Sequence, residues 1–216
     1  EPLYLRSLAI KRKVYAPEHP LIAESHFALG GVYAAEGKVT DAETSLNAGL
    51  TIVEHALGPD HINLSRGLQP LGILLGTQGR WREAEAVFKR LVRVYEAAVG
   101  PQHHWVGEAL NNLGWVLADG LHEYAEAEQV LRRAVAIFPV DQNPGYYGAL
   151  TRWSLANCLR DQHRDGDAER YYTEALTILD TNNPQLPDLL KDYAKSLRAA
   201  GREADAAAIE ARAAQH

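Results

Sequence analysis

The chain has 216 residues, 46% hydrophobic and 23% charged, enough apolar material to bury a core as one domain or two. A formal net charge of -6 argues against nucleic-acid binding, which calls for an excess of Lys and Arg. The single Cys158 excludes an internal disulfide and a cysteine-cluster metal site, and no apolar run is long enough for a membrane span.

The first element is EPLYLRSLAIKRK, which is helix-like but lacks the charge order and apolar run of a signal peptide. Its abrupt start, with no Met, reads as a fragment or processed chain, with residual tag sequence around His216. The basic run at 11–13 reads as a solvated helix end. After it, one frame recurs. GGVYAAEGKVTDAE at 30–43 slides by 42 positions onto GILLGTQGRWREAE at 72–85, and ALGPDH at 56–61 repeats as AVGPQH at 98–103. A third copy, NNLGWVLADGLHEYAEAE, has one extra residue before Ala127, and a fourth is SLANCLRDQHRDGDAE. A fifth, shorter copy runs from Ala194 to Ala206.

Each copy holds two segments with apolar residues at i, i+3, i+4 and i+7, joined by a turn such as EGKV or QGRW. WREAEAVFKRLVRVYEAAV at 81–99 and YAEAEQVLRRAVAIF at 124–138 are second segments. No run alternates cleanly enough to be a strand. The units are predicted helix pairs that stack on their neighbours, because one pair cannot bury both faces. Gly30, Gly72, Gly114, Ala156 and Ala194 in the first helix face Ala42, Ala84, Ala127, Ala168 and Ala206 in the second. A large side chain there would hold the axes apart at about 1–3 kcal/mol. Pro70 inside a first helix predicts a kink or a shortened start, helped by Gly67.

Leu or Ile at 29, 71, 113 and 155, then Gly or Ala, then Gly-Arg/Lys and Ala-Glu, with GPDH/GPQH junctions, resembles the long-period tetratricopeptide repeats (TPRs) of kinesin light chains and many bacterial proteins. The resemblance implies an all-α, right-handed α-solenoid over 1–216: a trailing helix at 1–18, then repeats at 19–60, 61–102, 103–144, 145–182 and 183–216. Gly49 and Leu91 depart from the alanine found at 134, 175 and 213.

With Gly114 as position 8 of its helix, positions 2, 5, 6, 9, 12 and 13 fall opposite the face that packs within the repeat. They carry Phe27, Gln69, Asn111, Asn112, Trp115, Trp153, Asn157, Arg160, Lys195 and Arg198. In solenoids of this kind first helices line a concave surface. An Asn amide can donate to and accept from an extended peptide backbone, Phe27, Trp115 and Trp153 would hold apolar side chains, and Arg160, Lys195 and Arg198 would pair with acidic groups or a terminal carboxylate. The resemblance implies such peptide binding, with Asn112 and Asn157 matching it best. Glu24, Glu108 and Asp119 make the surface mixed, with positive charge increasing toward the C-terminal repeats.

Catalysis finds no support in the motifs. His19, His61 and His103 recur at equal intervals and so mark a structural position, and neither HExxH, GxSxG nor GxxxxGK occurs. Cys158 sits in a predicted packed helix. The expected function is a noncatalytic, cofactor-free module that binds a protein or peptide ligand, with no metal, nucleic acid or membrane partner, in the cytoplasm. Self-association as a scaffold, and regulation of a larger multidomain protein, are the competing uses.

Overall fold

The computed structural model describes residues 1–142, 144–180 and 182–214, and every regular element among them is helical. The tag expected around His216 lies outside the described residues. Eleven α-helices follow in order: α1 (Pro2–Val14), α2 (Pro20–Ala35), α3 (Val39–Leu57), α4 (Ser65–Thr77), α5 (Trp81–Val99), α6 (His104–Trp115), α7 (Tyr124–Ile137), α8 (Gly145–Asp161), α9 (Asp165–Ile178), α10 (Leu186–Ala199) and α11 (Glu203–Ala213). They divide into two compact units, Glu1–His103 and His104–His216. In the first, α2 pairs with α3 and α4 with α5. In the second the pairs are α6 with α7, α8 with α9 and α10 with α11.

The pairing follows from the small residues. A Cβ on Gly30 would stand 2.6 Å from Leu46 Cγ, one on Gly72 2.7 Å from Phe88 Cζ, and one on Gly114 2.4 Å from Leu131 Cδ2. The second helix thus drops a large side chain into the notch where the first has none. Ala42, Ala84, Ala127, Ala168 and Ala206, on the opposing helices, are all fully buried. No helix is long and apolar enough to cross a membrane, among the described residues.

The turn within each pair has one geometry. Gly37, Gly79 and Gly201 hold φ of 72°, 73° and 75°, and His122 and His163 occupy the equivalent place at 56° and 59°. The residue after each reaches back to the preceding helix. Lys38 N donates to Tyr33 O, Arg80 N to Leu75 O, Arg164 N to Leu159 O and Arg202 N to Leu197 O. That is the Schellman closure, which satisfies carbonyls the helix end would otherwise leave open. In the third pair the bond lengthens by one residue, from Glu123 N to Leu117 O, because Val116–Gly120 winds as a π-helix. Its wider i→i+5 turn absorbs the extra residue noted before Ala127.

The Gly-Arg/Lys and Ala-Glu letters also have a structural use. Arg80 bonds Glu43 of the preceding pair and Glu83 of its own helix. Arg164 does the same with Glu128 and Asp167, and Arg202 with Glu169 and Asp205. These half-exposed pairs fix register between neighbouring hairpins more than they stabilise. The junction histidines cap the next helix: His19 Nδ1 accepts from Leu21 N, and His61 Nδ1 from Asn63 N.

Pro70 does not end its helix. It lies inside α4, whose regular part begins only at Ser65 after a 3-10 turn at Ile62–Leu64, so the start is shortened as the sequence suggests. Gly67 has a reason separate from the proline. A Cβ on it would stand 2.4 Å from Phe27 Cε1, and one on Gly49 2.5 Å from the same atom. The Phe27 ring fills the space among α2, α3 and α4, and this explains the missing alanine at 49.

Candidate peptide-binding surface

The second unit gathers most of the candidate residues. On α8, Trp153, Asn157 and Arg160 follow at helical spacing, and on α10 Asp192 faces them. Trp153 Nε1 donates to Asp192 Oδ2 at 3.0 Å, and Asn157 Nδ2 donates to the same oxygen at 3.2 Å. Asn157 Oδ1 accepts from the Tyr172 hydroxyl at 2.6 Å and from Arg160 at 3.1 Å. Arg160 also binds Asp161 at 2.8 Å and lies 3.5 Å from Asp192. The outward sides of two successive first helices are thereby joined by one hydrogen-bonded network.

Charge follows that network. Burial pushes the Asp192 carboxyl up, but hydrogen bonds from Lys195 and Asn157 and the charge of Arg160 outweigh it and hold it below the usual value. Asp119 goes the other way. It stands at the surface, yet neighbouring atoms strip its hydration and the Asp161 charge adds to the effect, so its carboxyl is raised. Burial alone would favour loss of charge on Arg160. The Tyr172 oxygen and the Asp161 and Asp192 carboxylates reverse that and raise it. Tyr172 is pushed up by burial, so it remains a hydroxyl donor.

Two expectations need correction. Phe27, at 7% exposure, is core between α2, α3 and α4 and reaches no ligand. Asn111, at 4%, is equally sealed, with its Oδ1 buried and without a hydrogen-bond partner among the described residues. Asn157 is half-buried and its amide bonds Asp192, Tyr172 and Arg160, which ties it to the neighbouring hairpin and leaves one Nδ2 hydrogen for a ligand. The cations expected to meet acidic ligands have carboxylate partners within this chain. Arg160 is held by Asp161 and Asp192, Lys195 by Asp192 at 2.9 Å, and Arg198 by Glu203 and Glu210. An incoming carboxylate would have to displace those partners beside like charges.

The remaining candidates are half-buried. Gln69, in the first unit, accepts a long 3.4 Å bond from the Tyr95 hydroxyl. Asn112 and Trp115 share α6 in the second unit, and the Asn112 amide has no hydrogen-bond partner among the described residues. Cys158 is buried, and loss of hydration pushes its thiol up to about 11, which leaves almost no thiolate for nucleophilic work. Sequence reasoning missed Asp192, although it holds on α10 the place that Asn112 holds on α6, two residues before the small residue of the pair. Only its pairing with residues 35 and 39 positions earlier reveals its part.

A family model described as "Tetratricopeptide repeat" matches residues 28–97 and 68–139, together 112 of 216. Among curated proteins none matches by sequence. Solved structures give the same fold at low identity. A Podosopora anserina protein described as a kinesin light chain with nearly identical TPR-like repeats has a TM-score of 0.76 at 17% identity, over 91% of this chain and 95% of its own. BtubC (BKLC) from P. vanneervenii scores 0.81 at 20%, over 99% and 88%. YrrB, described as a TPR protein with an unusual peptide-binding site, scores 0.60 at 14%, over 97% and 90%.

Proposed function

Because this chain belongs to the tetratricopeptide-repeat family, we propose that it is a noncatalytic protein-interaction module whose second unit holds an extended peptide along the outward sides of α6, α8 and α10. Asn112 is the backbone clamp, Trp115 and Trp153 are the apolar contacts, and the Asn157–Asp192–Arg160 network keeps the surface rigid. One observation carries the reading: the Trp153 and Asn157 side chains converge on Asp192, so the indole and the helices bearing it are fixed in place before a ligand arrives. A rigid surface loses less entropy on binding than one that must be ordered. The unusual peptide-binding site of YrrB, a protein of the same fold, supports the same use of these repeats.

Peptides selected by display against the whole chain provide the test, with affinities read by fluorescence anisotropy. Asn112→Ala is expected to weaken selected peptides about 5-fold, the equivalent of about 1 kcal/mol, with an unchanged melting temperature. Binders indifferent to both Asn112→Ala and Trp153→Ala would place the peptide elsewhere.

A specific feature favours a second use. On α1, Leu3 is 81% exposed and Val14 69%, with Ile10 between them, beside a cleft of about 550 Å³ against Leu21. Contiguous apolar surface of that kind marks a contact face, and self-association through α1 follows from it. Sedimentation velocity over a hundredfold concentration range decides: a monomer throughout, identical to an Ile10→Glu variant, rules it out.

A further inference from the structure

The junction between α7 and α8 departs from the Gly-Pro turns that close α3 and α5. There the chain runs through Phe138 and Pro139 into a short 3-10 turn, and Pro144 leads directly into α8. The result, wholly within the second unit, is a cleft of about 420 Å³. Phe138 is its buried floor, with a ring carbon 2.4 Å from where a Cβ on Gly107 would stand, so α6 can come this close only because that residue is glycine. Pro139 and Pro144 form apolar walls, and Tyr146 and Tyr147 add two rings set edge to face, 5.3 Å apart.

Glu108 of α6 is the acidic group of this cleft. It is half-buried; burial pushes its carboxyl up, and neither the His104 charge nor a hydrogen bond with Tyr147 brings it back to the usual value. Three other partly buried carboxylates of the unit are met by an arginine or lysine of this chain: Glu128 by Arg132 and Arg164, Glu174 by Arg152 and Arg170, Asp192 by Lys195. None of the described residues lining the cleft is Lys or Arg. A carboxylate dehydrated by its surroundings, with a histidine but no Lys or Arg beside it, favours a cation from outside. Aromatic faces beside it add attraction for the same charge, and the apolar walls suit a methylene stem. An anion would meet Glu108 head-on, and a neutral apolar group would dehydrate it further.

We propose that the cleft between α6 and α8 receives a lysine side chain of a bound peptide, its ammonium on Glu108 and its stem between Pro139, Pro144 and Tyr146. Lysine is preferred over arginine because the carboxylate already shares a hydrogen bond with Tyr147. A compact ammonium needs one oxygen, whereas a guanidinium fork is best met by two. The inference rests on the peptide-binding reading above and assigns it a side-chain subsite.

The test uses three capped tripeptides, Ac-Gly-Lys-Gly-NH2 and its norleucine and arginine counterparts, titrated into the 15N-labelled whole chain. The amides of Gly145, Tyr147 and Gly148 are followed. The lysine probe is expected to give saturating shifts at concentrations at least tenfold below the norleucine probe and severalfold below the arginine probe. Glu108→Gln is expected to remove the advantage over norleucine, and Glu108→Asp to keep part of it, with both variants retaining the wild-type helical spectrum. Equal binding of lysine and norleucine, no saturable shift, or an unchanged lysine titration in folded Glu108→Gln overturns the proposal. Equal binding of arginine overturns its choice of lysine. Display-selected peptides that need Asn112 yet show no lysine preference would remove this subsite and leave the peptide surface standing. Lysine-probe shifts alongside peptides indifferent to Asn112 and Trp153 would do the reverse.

Discussion

His122 and His163 stand in left-handed backbone at the turns where Gly37, Gly79 and Gly201 stand in the other pairs. A side chain in that conformation costs about 1–2 kcal/mol against glycine, and the slot tolerates it because the Schellman bonds fix the path. Two glycines separate this backbone effect from packing, since a Cβ on Gly31 or on Gly37 would meet no atom within 4 Å. Gly37→Ala is expected to destabilise by about 1 kcal/mol through its positive φ. Gly31→Ala, in the helical interior of α2, is expected to stabilise by about 0.5–1 kcal/mol. Chemical denaturation of the two variants, with shifts of opposite sign, checks the assignment. Cys158 yields a second expectation at this scale. With its thiol pushed up to about 11 and its side chain buried, it should resist a thiol reagent at pH 8 in the native chain and react at once in denaturant. Native labelling at the unfolded rate would contradict its placement in the core.

Among elements, the hairpin is the unit that sequence and packing agree on. The Gly114–Leu131 contact joins α6 to α7, and a methyl on Gly114 would overlap Leu131 at 2.4 Å. Gly114→Ala is expected to cost about 1–3 kcal/mol. Leu131→Ala is expected to cost more, about 2–5 kcal/mol, from a site with no solvent exposure. The double variant should cost clearly less than the sum, because removing the leucine makes room for the methyl. Additive losses in urea unfolding would mean that the two helices do not meet through this pair. Between α8 and α9, Arg152 is buried, with its guanidinium on Glu174 and on the Gly148 carbonyl. Arg152 lies four residues before Ala156 and so on the packing face, where the helical period calls for an apolar or small residue. Its burial depends on the carboxylate that α9 brings to it.

For the whole molecule, acid should act in two stages of opposite sign. Glu108 and Asp119 have raised carboxyls, so the folded chain holds protons there that the unfolded chain has lost. Lowering the pH from neutrality into that window stabilises the fold. Glu128, Glu174 and Asp192 have lowered carboxyls, and each contributes stability that is full above its usual value and lost as pH falls through the folded one. Melting temperature against pH is therefore expected to be level or to rise slightly on mild acidification, then to fall below about pH 4.5, the usual value for glutamate. Glu108→Gln should remove part of the early rise and leave the later fall unchanged. A monotonic decline from pH 7 in both proteins would show that the raised carboxyls do not matter to stability.

The sequence by itself determined the helices, their pairing and the small residues between them. Those features are written in neighbouring letters: a 3.6-residue apolar period, a glycine at a turn, an alanine opposite a leucine. Even the π-helix at Val116–Gly120 was visible as one surplus residue. Reading the turn of EGKV onto RDQHRD would have placed His163 in the glycine slot as well. Only the tertiary structure decided which outward residues are still available. A count of 100° per residue sorts sides of one helix, but it does not know that Phe27 enters the space over Gly49 and Gly67, or that Asn157 meets Asp192. The Glu108 cleft likewise needs α6, α7 and α8 together. Burial and partnership arise between residues tens of positions apart, and the order of the chain fixes them only after the hairpins have stacked.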